Sequence, residues 1–280
     1  MRKIRIIPRL DIKGPNLVKG INMEGLRVLG KPFQFAKSYY EEGADELILV
    51  DVVASLYGRN NLSNFVSETA SNIFIPITVG GGIRNTDDVR KLLKSGADKV
   101  SLNTAAIENP NLINDLVKTY GSSTISVSCE VIKDSMGKYN LFTDNGREET
   151  NLELTSWIEK VIDLGAGEII VTDILKEGTG EGFDYNLIEK VLKVCKVPLL
   201  IHGGCRTKED VLDVFKKFDL SGIVISSILH YDLIDRIKTS SDDTEGNITF
   251  LTNKSKYLNF NIISMDNLKS YLRKNRVNVR

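Results

Sequence analysis

Short runs of Ile, Val and Leu recur along the whole chain, near residues 4–10, 46–51, 75–79, 99–102, 124–129, 168–172, 197–201 and 222–226. Each is bounded by turn or charged residues, the pattern of a strand buried on both faces. Amphipathic stretches lie between them, over 33–42, 86–95, 152–164 and 207–217, with another opening at Pro110. They predict helices, closed by Gly43, Gly96 and Gly165 and, in the last case, capped by Thr207. Residues 12–32, with Gly14, Pro15, Gly20 and Gly25, predict a long loop before the first helix, of a length that suits a lid.

The pattern occurs twice. Gly43-Ala44-Asp45-Glu46-Leu47-Ile48-Leu49-Val50-Asp51 is echoed 122 residues later by Gly165-Ala166-Gly167-Glu168-Ile169-Ile170-Val171-Thr172-Asp173. Ile75-Pro76-Ile77-Thr78-Val79-Gly80-Gly81-Gly82-Ile83-Arg84 is echoed by Val197-Pro198-Leu199-Leu200-Ile201-His202-Gly203-Gly204-Cys205-Arg206 at the same offset. One offset shared by two separated motifs marks an internal repeat. Four βα units per half predict a single (βα)8 TIM barrel over 1–280, with half-barrels at about 1–121 and 122–280. The open doubly wound fold lacks such a repeat and favours an early G-x-G-x-x-G, which is absent.

In a barrel of this kind chemistry sits at the C-terminal ends of the strands. Asp11 closes the first predicted strand and Glu130 the fifth, at matching places in the two halves. Two facing carboxyls can divide acid and base work, although a carboxylate at a strand end also occurs as a plain cap. Gly81 and Gly82 follow the third strand, and Gly203 and Gly204 the seventh. Such turns bring backbone N–H groups close to an anion, and Asn103, Thr104, Ser226 and Ser227 end the neighbouring strands with further donors. The paired turns predict an elongated substrate with a phosphate at each end; the bland alternative is glycine used only for tight turns. Lys19 in the predicted lid either reaches a phosphate or carbonyl or is simply solvated. Arg5, Glu46, Lys99 and Glu168 stand near strand starts. They are either solvated charges or a ring of salt bridges across the barrel floor.

Composition adds mainly exclusions. Lys+Arg and Asp+Glu both number 37, so no basic excess points to nucleic acid or an anionic membrane. No apolar run reaches the roughly 18 residues of a membrane helix, and charge and Pro8 interrupt any signal-peptide core at the N-terminus. Cys129, Cys195 and Cys205 are scattered and, with only His202 and His230, offer no metal-type spacing. The expectation is a cytoplasmic protein without metal or cofactor.

Several stretches match one family, and some of them are specific to it rather than general to barrels. They include Arg5-Ile6-Ile7-Pro8 with Leu10-Asp11-Ile12, Val18-Lys19-Gly20, Thr78-Val79-Gly80-Gly81-Gly82-Ile83-Arg84, Gly96-Ala97-Asp98-Lys99-Val100 with Asn103, Gly146-Arg147-Glu148, Gly178-Thr179 and Val277-Asn278-Val279-Arg280. Over nearly its full length the chain resembles the HisF family, the cyclase subunits of imidazole glycerol phosphate synthase. The resemblance implies a lyase that converts PRFAR and ammonia to imidazole glycerol phosphate and AICAR in histidine biosynthesis. It also implies a glutaminase partner on the N-terminal face of the barrel. The family's two catalytic aspartates fall at Asp11 and Glu130, and its ammonia gate at Arg5, Glu46, Lys99 and Glu168. Its phosphate sites fall at Gly81, Gly82, Asn103 and Thr104 on one rim, and at Gly178, Gly204, Ser226 and Ser227 on the other, with Glu177, His202 and Gly203 beside the second.

The departures from the family are Glu130 and Glu177 for aspartates, His202 for a serine and Arg9 for a cysteine. Arg9 shares strand parity with Arg5 and Asp11, which points it into the lumen. Residues 239–261 look inserted and polar, the pattern of a mobile loop. Together with 10–17 and 52–60, these features are similar to a HisF paralogue group tied to acetamidino-sugar formation in surface polysaccharide. The sister isomerase HisA shares the duplicated barrel and two acids but needs no floor gate.

Overall fold

The computed structural model describes residues 3–54, 62–237, 247, 250–251 and 260–280. Most of the predicted insertion at 239–261 and the end of the 52–60 stretch lie outside the described residues.

Strands β1 (Arg5–Lys13), β4 (Leu47–Asp51), β5 (Ile77–Gly80), β6 (Lys99–Leu102), β7 (Ile125–Lys133), β10 (Glu168–Asp173), β11 (Leu199–His202) and β12 (Gly222–Ile225) pair in parallel around a closed ring. The ring closes where β12 meets β1, with Arg5 opposite Gly222, and where β7 meets β10, with Glu130 opposite Thr172. Helices α1 (Pro32–Glu41), α2 (Leu62–Asn72), α3 (Thr86–Lys94), α4 (Thr104–Glu108) and α5 (Asn111–Tyr120) lie in the first part of the chain. Helices α6 (Leu154–Asp163), α7 (Tyr185–Val194), α8 (Lys208–Lys217), α9 (Ser227–Arg236) and α10 (Met265–Lys274) follow. This is the (βα)8 barrel that the hydrophobic pattern predicts.

Strand parity sorts the side chains. On β1, Ile6, Leu10 and Ile12 join the large core between barrel and helices, while Ile7 joins a second cluster with Ile48, Ile170, Leu200 and Val224. That second cluster is an aliphatic crescent inside the barrel, drawn from β1, β4, β10, β11 and β12. The other three barrel strands give the lumen small residues, Thr78 and Gly80 on β5, Ser101 on β6, and Ser126 and Ser128 on β7. The crescent therefore packs one side of the axis and leaves the other lined by hydroxyls.

The predicted loop at 12–32 is corrected by the structure. β1 runs on to Lys13, and β2 (Asn16–Ile21) and β3 (Glu24–Gly30) form an antiparallel hairpin with it. Asn22 and Met23 turn between β2 and β3 with φ of 53° and 64°, the two left-handed residues of a tight hairpin turn. The second half does the same with β8 (Tyr139–Thr143) and β9 (Glu148–Glu153), which delays helix α6 to Leu154 from the expected 152. Asn85 caps α3 by accepting from the Asp88 N–H, and Thr207, 122 residues on, caps α8 by accepting from the Asp210 N–H.

Candidate functional site

The floor charges form a closed ring. Arg5 reaches Glu46 at 2.8 Å and Glu168 at 2.5 Å, and Lys99 reaches the same two carboxylates at 3.0 and 3.1 Å. Thr78 Oγ1 donates a further bond to Glu46 at 2.7 Å. Both acids are buried, so removing one partner leaves an uncompensated charge, typically a loss of about 3–5 kcal/mol. Of the two alternatives, solvated charges or a ring, the geometry is the ring.

At the opposite mouth, Arg9 stands inside the lumen, buried, and its Nε donates to Asp11 Oδ1 at 2.8 Å. Burial opposes the charge on Arg9, but Asp11 and Glu130 outweigh it and hold the guanidinium protonated. Glu130 faces the same space. Burial pushes its carboxyl up to about 7, Arg9 pulls it back down, and the nearby Asp11 charge pushes it up. The Gly146 N–H and Asn103 Nδ2, at 3.0 Å, also favour its anion. Of the two carboxyls at repeat-equivalent strand ends, Asp11 thus hydrogen-bonds to Arg9 and Glu130 feels its charge.

Beside Glu130 opens a cavity of about 60 Å³, lined by Arg9, Asp51, Gly81, Gly82, Asn103, Thr104, Ser128 and Asn145 among others. Gly81 has φ of +91°, and a Cβ there would stand 2.2 Å from the Asp51 carbonyl oxygen. Gly203 repeats this at φ +102°, with a Cβ 2.6 Å from the Asp173 oxygen. Close backbone approach therefore explains glycine at 81 and 203 by itself, and any anion role rests on the surrounding donors. Asn103 places its amide nitrogen against Glu130 and the Phe142 carbonyl and leaves its buried Oδ1 without a partner. Thr104 Oγ1 accepts from the Asp144 N–H at 3.1 Å.

The second glycine turn is filled. Lys19, on β2 and buried, is not a solvated lysine: its Nζ lies 2.5 Å from Glu177. His202 Nε2 lies 3.3 Å from the other oxygen of Glu177 and 3.4 Å from Ser226 Oγ. Burial favours a neutral Glu177, yet Lys19 and His202 together hold its carboxyl well below the usual range. Burial lowers His202 below its ordinary value, Glu177 opposing. The hairpin docks here too, since the Asn22 N–H donates to the Glu177 carbonyl at 2.8 Å. Gly178 passes so close to Gly20 that a Cβ would meet its oxygen at 2.4 Å. Only about 10 Å³ remains among Glu177, Gly178, His202, Gly203, Gly204, Ser226 and Ser227.

Asp51, Asn145 and Ser128 were not singled out by the sequence pattern. Asp51 closes the first repeated motif and Asp173 its copy, and that repetition was the available signal. The second histidine, His230, packs against Phe35 and Tyr39 in the outer core, where burial pushes it down to about 3. Among the described residues no cluster of His, Cys, Asp or Glu could hold a metal ion, and no helix is long and apolar enough to cross a membrane.

Comparison with known proteins gives the family. The family model described as histidine biosynthesis protein matches residues 5–235. Among curated relatives, imidazole glycerol phosphate synthase subunit HisF of Legionella pneumophila is 51% identical over 210 residues, covering 75% of this chain and 99% of the relative. The HisF subunit of Streptococcus mutans is 39% identical over 82% of this chain and 92% of its own. That of Bacillus cereus is 40% identical over 81% and 90%. Family model, identity and a closed barrel with matched strand ends converge, and this chain belongs to the HisF family of histidine-biosynthesis proteins.

Proposed function

We propose that this chain is a HisF-type synthase subunit, a cytoplasmic barrel of two half-barrels that uses ammonia from a partner glutaminase. The glutaminase docks on the N-terminal face, below the Arg5–Glu46–Lys99–Glu168 ring. Ammonia passes that gate and ascends the hydroxyl-lined side of the lumen. At the mouth it meets a bisphosphorylated substrate, PRFAR, and the products are imidazole glycerol phosphate and AICAR. A nitrogen nucleophile must shed a proton as its bond to carbon forms, and a departing oxygen must gain one. Asp11, hydrogen-bonded by a cation, is presented as the acceptor, and Glu130, with its carboxyl near 7, as the donor. Gly81, Gly82, Asn103 and Thr104 serve one phosphate end, and Gly178, Gly203, Gly204, Ser226 and Ser227 the other, with Lys19 closing over the substrate. No nucleic acid, membrane or cofactor enters this reading.

The observation that carries it is Asp11, hydrogen-bonded to Arg9, and Glu130, within reach of the Arg9 charge, at one mouth of the barrel above a closed ring of floor charges. The test is turnover of purified protein with PRFAR and an ammonium salt, read as AICAR release. Steady release supports the reading.

One observation favours a second reading. The cradle at 203–204 is occupied by the Glu177 cluster, which suits a paralogue that supplies ammonia for acetamidino-sugar formation in surface polysaccharide and does not cyclise PRFAR. No AICAR from the wild type, with release gained on Glu130→Asp, selects this alternative.

A further inference from the structure

Arg9 is a long cation in a lumen otherwise lined by aliphatic and small polar side chains. It shares its face of β1 with Ile7 and Asp11 and is 3% exposed. Among the described residues its guanidinium makes one hydrogen bond, from Nε to Asp11 Oδ1 at 2.8 Å. Nη1 and Nη2 find no acceptor among those residues. The second carboxylate that Arg9 feels, Glu130, accepts instead from Asn103 Nδ2 at 3.0 Å and from the Gly146 N–H. Buried donors left without an acceptor are costly, and a charged fork is suited to an oxygen that carries negative charge. Arg9 and Glu130 line one cavity of about 60 Å³, with Gly80, Ser101 and Ser128. At about 10–15 Å³ for each water, that space holds a few waters or one small polar group of a ligand.

We infer that Arg9 is an oxyanion-binding residue, whose terminal nitrogens hold the carbonyl oxygen of the substrate at the carbon that takes up ammonia. This assignment rests on the synthase reading above and adds to it a residue beyond the acid and the base. As the ammonia nitrogen bonds to the carbonyl carbon, the π pair of the C=O bond moves onto oxygen. The nitrogen, now cationic, gives one proton to Asp11. The oxygen, now anionic, takes one proton from Glu130. The product is a carbinolamine, with Asp11 one proton richer and Glu130 one proton poorer. Between bond formation and protonation the oxygen faces a fixed cation in a buried setting, where attraction is weakly screened. The same contact makes Arg9 a specificity-determining residue, because an alcohol at that carbon develops no such charge.

The test is calorimetric titration of the full chain, in ammonia-free buffer, with PRFAR and with the alcohol made by reducing its ketone. The wild type is expected to bind the ketone at least about tenfold more tightly, the scale of one hydrogen bond from a charged donor. Arg9→Met keeps most of the bulk, removes the donors and should bind the two ligands alike. Asp11→Asn leaves the guanidinium in place and should keep the preference. The role of Arg9 is overturned if the wild type binds PRFAR and the alcohol alike, a result that needs no variant to fold and leaves the synthase reading standing. It is also overturned if Arg9→Met keeps the preference, or if Asp11→Asn loses it as fully as Arg9→Met, since Arg9 would then act only through Asp11. Binding of neither ligand by the wild type removes the synthase reading and the role of Arg9 with it.

Discussion

The two rims of this barrel are copies at the level of backbone and opposites at the level of charge. Gly81 and Gly203 adopt the same left-handed turn over the backbone of Asp51 and Asp173, 122 residues apart. Yet the cavity at the first turn is edged with hydrogen-bonding side chains, while the second turn packs against a buried carboxylate, a lysine and a histidine, with a cavity of about 330 Å³ on the far side of Lys19 and Gly178. The same contrast holds for the two acids. Both are buried, but Asp11 is gripped by Arg9 at 2.8 Å, whereas Glu130 is one methylene longer than aspartate and held by Asn103 and the Gly146 N–H. A duplicated frame thus fixes where chemistry can occur, and the side chains set on it decide which half receives a charge and which supplies one.

The largest expected effect comes from removing the acceptor. Asp11→Asn keeps the shape and leaves Arg9 without its anion, and general acid–base contributions run to about 10²–10⁴ in rate. Ammonia-dependent AICAR release should fall by at least about a hundredfold, and Glu130→Gln should cost a similar factor if the two acids divide the proton transfers. A rate within tenfold of wild type for Asp11→Asn would show that the two halves do not share the work.

A smaller effect separates the acids by pH. With its carboxyl raised to about 7, Glu130 as donor predicts activity that declines as pH climbs through 7. Arg9 pulls that value down, so Arg9→Met should move the falling limb of the kcat/KM profile alkaline, by roughly one pH unit. A limb that stays in place would detach it from Glu130. The linkage has the same origin. A carboxyl raised on folding binds more protons folded than unfolded, so its contribution to stability is full at acid pH and is lost as pH rises toward 7.

How much of this was legible in the chain follows from the range of each interaction. The eight strands and the cap at Thr207 were readable because they depend on residues a few positions apart, and the strand pattern occurs twice. Arg9 in the lumen followed from parity alone. The hairpins were missed because Gly14, Pro15, Gly20 and Gly25 resemble loop punctuation, and register shifts on both sides of Lys19 break the alternation of β2 and β3. The floor ring was readable only as one of two alternatives, since its four members come from β1, β6, β10 and the residue before β4. The Lys19–Glu177–His202 cluster was not legible at all as a cluster. Lys19 and Glu177 stand 158 positions apart and meet only because the first-half hairpin docks over the second-half rim.

The smallest effect asks whether the halves are energetically as well as geometrically separate. Thr207 accepts from the Asp210 N–H, and Asp210 in return accepts from the Thr207 N–H at 2.8 Å, a reciprocal cap. Asn85 makes the same bond to the Asp88 N–H at 3.0 Å, while Asp88 turns its carboxylate to the Arg84 N–H. Truncating either cap to alanine deletes one bond to the third residue of its helix, a cost of about 1 kcal/mol each. The caps share no hydrogen-bond partner, so the double variant Asn85→Ala/Thr207→Ala should lose about 2 kcal/mol, read from the urea midpoint with an unchanged slope. A loss well beyond that sum, or a change of slope, would mean that fraying one half loosens the other. The repeat would then be a single cooperative unit that keeps two frames in register, and the contrast between the two rims would be maintained by the whole barrel rather than by each half.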